Sequence, residues 1–251
     1  MHPLRTCIAG DIICEFLPPR RGNNTRAIVL CDGMPSVPSK RGVLEYWAKR
    51  GWWVFHPRYR GTWESGGKFL DHDPTEDIRD VVRAIRTDTL VNAYDGSAIT
   101  PQSTHVSVIG SSFGGTVALL SSLCPEVDRV VAFSPVIDWA REYENPVEPL
   151  SWMKSFLAQG FGEAYRFHES DFDRLGRDRN FCNPISVCDR VDPKKLCIIY
   201  AKDDMIVSVP AIESFVTQIG CRSMVRSRGG HFSVSRSTTF FFGRAIRQFL
   251  R

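Results

Sequence analysis

Long apolar runs are missing from this 251-residue chain. The longest, Leu196 to Ala201, holds six residues, against the ~20 that a bilayer-crossing helix needs, so no membrane span is expected. A C-x-x-C pair is missing too: the eight cysteines lie scattered at 7, 14, 31, 124, 182, 188, 197 and 221. That scatter argues against a zinc site and against a small disulfide scaffold, and a reducing, cytoplasmic setting is the simplest expectation. No apolar stretch follows the opening Met1 to Cys7, so no secretory leader is expected. Neither charge sign dominates, since 32 bases against 28 acids leave +4. The arginines between Arg222 and Arg251 interrupt helix and strand patterns rather than clustering, which reads as a solvated face, and no nucleic-acid partner is expected. Repeats and low-complexity tracts are absent. With 43% hydrophobic and 24% charged residues, wholesale disorder is excluded.

What is present is an alternation. Short apolar runs at Ala27–Cys31, Trp52–Phe55, Val106–Ile109, Val130–Phe133 and Leu196–Tyr200, with a weaker one at Ser223–Arg226, alternate with helix-like stretches. Continuous apolar strands of this kind are covered on both faces, so a mostly parallel sheet flanked by helices is expected. Cys7–Leu17 adds one or two antiparallel strands at the start. A first helix carries the stripe Val43, Leu44, Trp47 and Ala48, with Ser39 as its expected cap and Gly51 at its end. A second opens on Asp73-Pro74-Thr75-Glu76, a capping box with proline at the first helical position, followed by Ile78, Val81, Val82 and Ile85. A third starts at Phe113. Two more carry Ile212, Phe215, Val216 and Ile219, and then Phe242, Ala245, Ile246 and Phe249. Residues 139–192 break the alternation, being aromatic, mixed in charge and without strand pattern. They read as a small helical lid inserted into a core made of 1–138 and 193–251.

Gly110-Ser111-Ser112-Phe113-Gly114 follows a strand and opens a helix, which is G-x-S-x-G in strand–turn–helix context. Small residues at 110 and 114 allow strand and helix to approach while the middle side chain points outward. Ser112 is then a candidate nucleophile, and the Phe113 N–H is aimed where an oxyanion would develop. A serine hydroxyl needs a base, and the base needs an orienting acid. Ala201-Lys202-Asp203-Asp204 places carboxylates at a strand end, and Asp138 also follows a strand. Gly229-Gly230-His231 sets a histidine on a glycine turn before the last helix. Of the other histidines, His56 reads as structural, and His2, His72, His105 and His168 as superficial or local.

These residues resemble the α/β-hydrolase superfamily, and more closely the catalytic domains of acylaminoacyl peptidases and related prolyl-oligopeptidase-like serine hydrolases. The likeness runs from about Arg26 to the C-terminus. Cys31-Asp32-Gly33-Met34-Pro35 looks like that group's His-Gly-Gly-Pro oxyanion turn. Arg58-Tyr59-Arg60-Gly61-Thr62 with Gly66 resembles its Tyr-Arg-Gly-Ser/Thr loop, and Pro135-Val136-Ile137-Asp138-Trp139 its Pro-Val-x-Asp-Trp. The resemblance implies a Ser112–His231–Asp204 triad, choosing Asp204 because it lies three residues beyond Ala201 with Val207 three further on. It also implies Met34 as the second oxyanion N–H donor beside Phe113. Asp32 and Met34 depart from the group's histidine and glycine, and no N-terminal propeller is expected before Arg26. The expected activity is a cofactor-independent, metal-free serine hydrolase cleaving small carboxylic esters, with acyl chains from acetyl to hexanoyl. The alternative is an aminopeptidase or acylpeptide hydrolase of short peptides, needing a pocket carboxylate from among Glu142, Glu144, Glu148, Glu163 and Glu169. A third reading is an inactive member of the fold that only binds. Nothing in the sequence indicates a homo-oligomer.

Overall fold

A computed structural model describes residues 2–20, 25–101, 103–143 and 149–251. The chain opens with the antiparallel pair β1 (Leu4–Ile8) and β2 (Ile12–Leu17), turned by Ala9 and Gly10, both at positive φ. β3 (Arg26–Cys31), β4 (Trp53–Pro57), β7 (His105–Ser111), β8 (Arg129–Phe133), β9 (Leu196–Ala201) and β10 (Arg222–Arg226) then run parallel to one another. The eight strands lie in the order β1-β2-β4-β3-β7-β8-β9-β10. A separate two-stranded ribbon, β5 (Leu90–Val91) and β6 (Ala98–Ile99), has no counterpart in the sequence reading, because two-residue strands show no periodicity.

Strand β3 explains why its sequence is apolar throughout. Ala27, Val29 and Cys31 point into one core, Ile28 and Leu30 into another, and all five are buried. The first core is closed by α2 (Thr75–Thr87), α3 (Phe113–Ser121) and α7 (Val209–Ile219). The second is closed by α1 (Arg41–Ala48) and α8 (Phe240–Phe249), through Val43, Leu44, Trp47, Phe242 and Ile246. The stripes of α1 and α2 are fully buried, while in the last two helices Ile212, Phe215, Phe242 and Ile246 are buried and Val216, Ile219, Ala245 and Phe249 half-buried.

Helix starts differ in detail. Ser39 does not cap α1: its hydroxyl donates to Glu15 Oε2 at 2.9 Å, while Lys40 holds the cap position without a side-chain bond. The buried Glu15, already bound by Arg58, outcompetes the helix end for that hydroxyl. α2 begins one residue later than expected, with Pro74 at the cap position and Thr75 first in the helix, although the Asp73 carboxylate accepts the Thr75 N–H at 2.9 Å.

Between β8 and β9 the chain is helical, with α4 (Trp139–Tyr143), α5 (Leu150–Phe161) and α6 (Glu169–Arg177). Its middle is tied to the core. Trp63 N–H donates to Ala164 O at 2.9 Å, Arg166 N–H to Gly61 O at 2.8 Å, and Phe69 N–H to Arg166 O at 2.6 Å. Among the described residues no helix is long and apolar enough to cross a membrane.

The order reverses at β3, since β4 lies on one side of it and β7 on the other. In open α/β sheets such a reversal leaves a crevice beyond the carboxyl ends of the two central strands. The residues that follow β3 and β7 are Asp32-Gly33-Met34 and Ser112.

Candidate active site

Ser112 stands between β7 and α3 at φ 55° and ψ −126°, a left-handed conformation that a side-chain-bearing residue rarely adopts. The glycines around it are required by contact. A Cβ on Gly110 would overlap the Gly114 carbonyl, and a Cβ on Gly114 would overlap the carbonyls of Cys31 and Asp32. Strand β3 therefore passes directly against the elbow. Gly33 brings the next turn close as well, for a Cβ there would lie 3.4 Å from that of Ser112.

His231 Nδ1 lies 2.9 Å from Asp204 Oδ2 and 3.1 Å from Oδ1. The carboxylate is fully covered, and Oδ1 also accepts the Ile206 N–H at 3.0 Å. Burial pushes the Asp204 carboxyl up, but the hydrogen bond and charge of His231, with the Ser134 hydroxyl and Ile206 N–H, hold it below the ordinary value. A carboxylate on Nδ1 sets that nitrogen as the N–H donor and leaves Nε2 as the acceptor. Nε2 is buried and has no hydrogen-bond partner. His231 lines one cleft with Ser112, although no bond joins Nε2 to the serine hydroxyl. Such bonds are often long in resting hydrolases and tighten as the substrate engages.

The other candidate acids are occupied elsewhere. Asp203 accepts the N–H groups of Gly229 at 3.1 Å and Gly230 at 2.9 Å, bracing the histidine turn. Asp138 accepts the Ala140 N–H at 3.2 Å and faces Arg141. His56 is buried, with Nε2 3.6 Å from Asp32 Oδ2. His72, read from sequence as local, is half-buried and meets Asp77 Oδ1 at 2.8 Å.

Asp32 has become the anchor of the turn that bears Met34. Its carboxylate meets Lys40 Nζ at 3.1 Å and accepts the Val37 N–H at 3.3 Å, while Tyr59 donates to its carbonyl at 3.2 Å. Burial raises its carboxyl, and the hydrogen bond and charge of His56, followed by Lys40, bring it below the ordinary value. Sequence reasoning missed this triangle because Lys40 and His56 are distant along the chain. It missed Ser134 as well, which begins the Ser-Pro-Val stretch at φ 41° and accepts the Phe232 N–H at 3.2 Å.

Two hollows meet at Ser112 and Met34. The smaller, about 40 Å³, is walled by Phe113, Val136, Trp139, Leu150 and Val207, with Glu142 among them. The larger, about 410 Å³, contains His231, Lys40, Trp152, Phe156 and Ser233. Glu142 is buried, and its Oε1 accepts the Ser208 N–H at 2.9 Å. Glu163 and Glu169 are exposed, and Glu144 and Glu148 lie outside the described residues. Among the described residues no three His, Cys, Asp or Glu side chains gather as a metal site.

No curated protein matches the sequence. Solved structures resemble it in fold. An esterase of Pyrococcus furiosus superposes with TM-score 0.70 at 18% identity, over 99% of this chain and 89% of that one. The acylaminoacyl peptidase of Pyrococcus horikoshii gives TM-score 0.65 at 15% identity, over 100% of this chain but 41% of the larger protein. An alpha/beta hydrolase of Penicillium sp. sh18 gives 0.66 at 13% identity, over 99% and 96%. The family model described as the alpha/beta hydrolase family matches residues 37–241, a span holding Ser112, Asp204 and His231. The chain belongs to the alpha/beta hydrolase family.

Proposed function

We propose that the protein is a serine hydrolase of small carboxylic esters, working through Ser112, His231 and Asp204. The observation that carries this reading is the single cleft that holds Ser112 together with the buried, unpartnered Nε2 of an Asp204-bound His231. Ser112 Oγ attacks the ester carbonyl while Nε2 takes its proton. The tetrahedral oxyanion is met by the backbone N–H groups of Phe113, in the first turn of α3, and Met34. As the intermediate collapses, Nε2 returns the proton to the departing alkoxide and an acyl-Ser112 ester remains. Water, deprotonated by Nε2, attacks that ester and frees the carboxylic acid and the serine. Asp204 fixes the imidazole tautomer and stabilises the imidazolium in both steps.

The two hollows divide the substrate. His231 must protonate the leaving group, and it lines the larger hollow and not the smaller, so the leaving group lies in the larger. The acyl chain then enters the smaller one. It is about 40 Å³ against about 410 Å³ for its neighbour, which favours the acetyl end of the expected acetyl-to-hexanoyl range.

Glu142 favours a second reading, cleavage of peptides with a free amino terminus. It is a buried carboxylate in the wall of the acyl hollow, where a cationic amine would need one to offset its desolvation. A paired panel of p-nitrophenyl esters and aminoacyl p-nitroanilides separates the two. Ester turnover falling from acetyl to hexanoyl, with weak anilide turnover, is the expected result. Anilide turnover exceeding that of esters, and lost in Glu142→Gln, supports the peptidase. A fluorophosphonate that labels wild type and Ser112→Ala equally overturns the Ser112 assignment, and no turnover in either panel leaves an inactive binding protein.

A further inference from the structure

Behind the turn that carries His231 lies a second cleft, of about 260 Å³, walled by Arg226, Arg228, Gly229, Phe232, Arg236 and Phe241. Its three guanidiniums differ from the structural arginines of this protein. Arg60 is ion-paired with Asp11, Asp77 and Asp80, and Arg58 with Glu15 and Glu64. Among the described residues, Arg226, Arg228 and Arg236 have neither a carboxylate at ion-pairing distance nor a side-chain hydrogen bond. Two of them are nonetheless placed. The Arg226 guanidinium lies 5.2 Å from the Phe241 ring centre and that of Arg236 5.4 Å from Phe232. Stacking against a ring orients the plane of a guanidinium while leaving its N–H edges open to an acceptor.

We propose that this cleft binds a small phosphate-bearing ligand, at a site separate from the Ser112 hollows. Three exposed arginines brought to one cleft from a strand end, a turn and a short helix call for an anion with oxygens facing several directions. A phosphate or diphosphate supplies that, whereas one carboxylate satisfies one fork. The half-exposed Phe241 ring offers a support for an apolar or ring portion attached to the phosphate. Like charges crowded around one hollow repel, and a bound anion relieves the repulsion. The second basic hollow, formed by Arg20, Lys49, Arg50 and Arg247, is the weaker candidate because two of its arginines are already engaged by Tyr46. Arg50 donates to the Tyr46 carbonyl at 2.9 Å and stacks on its ring at 3.5 Å, and Arg247 reaches its hydroxyl at 3.2 Å.

The site adjoins the turn that carries His231. Phe232 lines both this cleft and the Ser112–His231 cleft, and Gly229, which lines the anion cleft, donates its N–H to Asp203. The binding itself is independent of any hydrolytic activity.

The test is a calorimetric titration of the full chain with sodium pyrophosphate at constant ionic strength. Saturable one-to-one binding is expected, weakened by about tenfold or more in the double variant Arg226→Gln/Arg236→Gln and unchanged in Arg50→Gln/Arg247→Gln. Ser112→Ala should bind as wild type does, so failure of the hydrolase reading and failure of this one are distinguishable. Absence of saturable binding by wild type overturns the proposal, and so does equal weakening in both double variants. Backbone amide shifts in wild type locate the site without any substitution. Shifts confined to 226–241 are expected, and shifts centred on Arg20, Lys49 and Arg247 overturn it.

Discussion

The hydroxyl of Tyr165, carried by the segment between α5 and α6, accepts the Ser36 N–H at 2.6 Å and donates to Ser36 Oγ at 2.9 Å. Trp63 Nε1 donates to the same serine at 3.1 Å. Ser36 is two residues past Met34, so the segment between α5 and α6 and the loop after β4 jointly hold the turn that carries the proposed second oxyanion donor. The segment between β8 and β9 is thus anchored at its centre. In α5, Trp152 and Phe156 stack at 5.0 Å and are exposed over the larger hollow.

Tyr165→Phe keeps the ring and removes both hydrogen bonds, leaving the buried Ser36 N–H without its acceptor. A loss of about 1–3 kcal/mol in urea unfolding is expected. Because the Met34 turn loosens, kcat for acetyl ester should fall more than KM changes. Unchanged kcat with lowered stability would show that the turn is held without this bond.

Asp204→Asn should reduce kcat by about 10⁴-fold, the cost of presenting the wrong imidazole tautomer. Asp203→Asn and Asp138→Asn should each cost less than about tenfold, since Asp203 only braces Gly229 and Gly230 and Asp138 faces Arg141. Steady-state kinetics on the three purified variants decides the assignment.

Asp32 has its folded-state carboxyl below the unfolded value of about 3.9. Its contribution to stability is therefore complete above that unfolded value and disappears as pH falls through the lower folded one. The stability gap between wild type and Asp32→Asn, measured by denaturant titration from pH 7 downward, should be constant to about pH 5 and shrink below about pH 4. A gap that widens in acid contradicts the sign.

Gly114→Ala should destabilise by more than the ~1–3 kcal/mol usual for an overpacked core, because the new Cβ meets backbone carbonyls of Cys31 and Asp32 that cannot rotate away. Gly42→Ala, where a Cβ meets nothing within 4 Å, is the control and should be neutral or slightly stabilising. Thermal melting of both variants measures the contrast.

Much of the fold was legible because local patterns carry it. The stripe Val43, Leu44, Trp47 and Ala48 is the buried set of α1, and the apolar runs became the parallel strands within one or two residues. The elbow was legible for a different reason. Gly110 and Gly114 are demanded by backbone contact, which admits no side chain, so the requirement is written directly in residue identity. The acid was not legible from local pattern. Asp138, Asp203 and Asp204 all follow strands, and only the packing of the 229–231 turn against the end of β9 gives one of them the imidazole and another the backbone N–H groups.

The sequence by itself therefore determined the layered parallel sheet, the helix faces and the strained serine, since each follows from periodicity or from steric exclusion between near neighbours. Tertiary structure alone decided how the Asp204 carboxylate meets His231, that Asp32 is held by Lys40 and His56, and that Glu142 is buried in the wall of the hollow beside Ser112. Those outcomes depend on charges and hydrogen-bonding groups brought together from distant parts of the chain. Such pairing is set by the geometry of the packed core and leaves no period or spacing in the sequence.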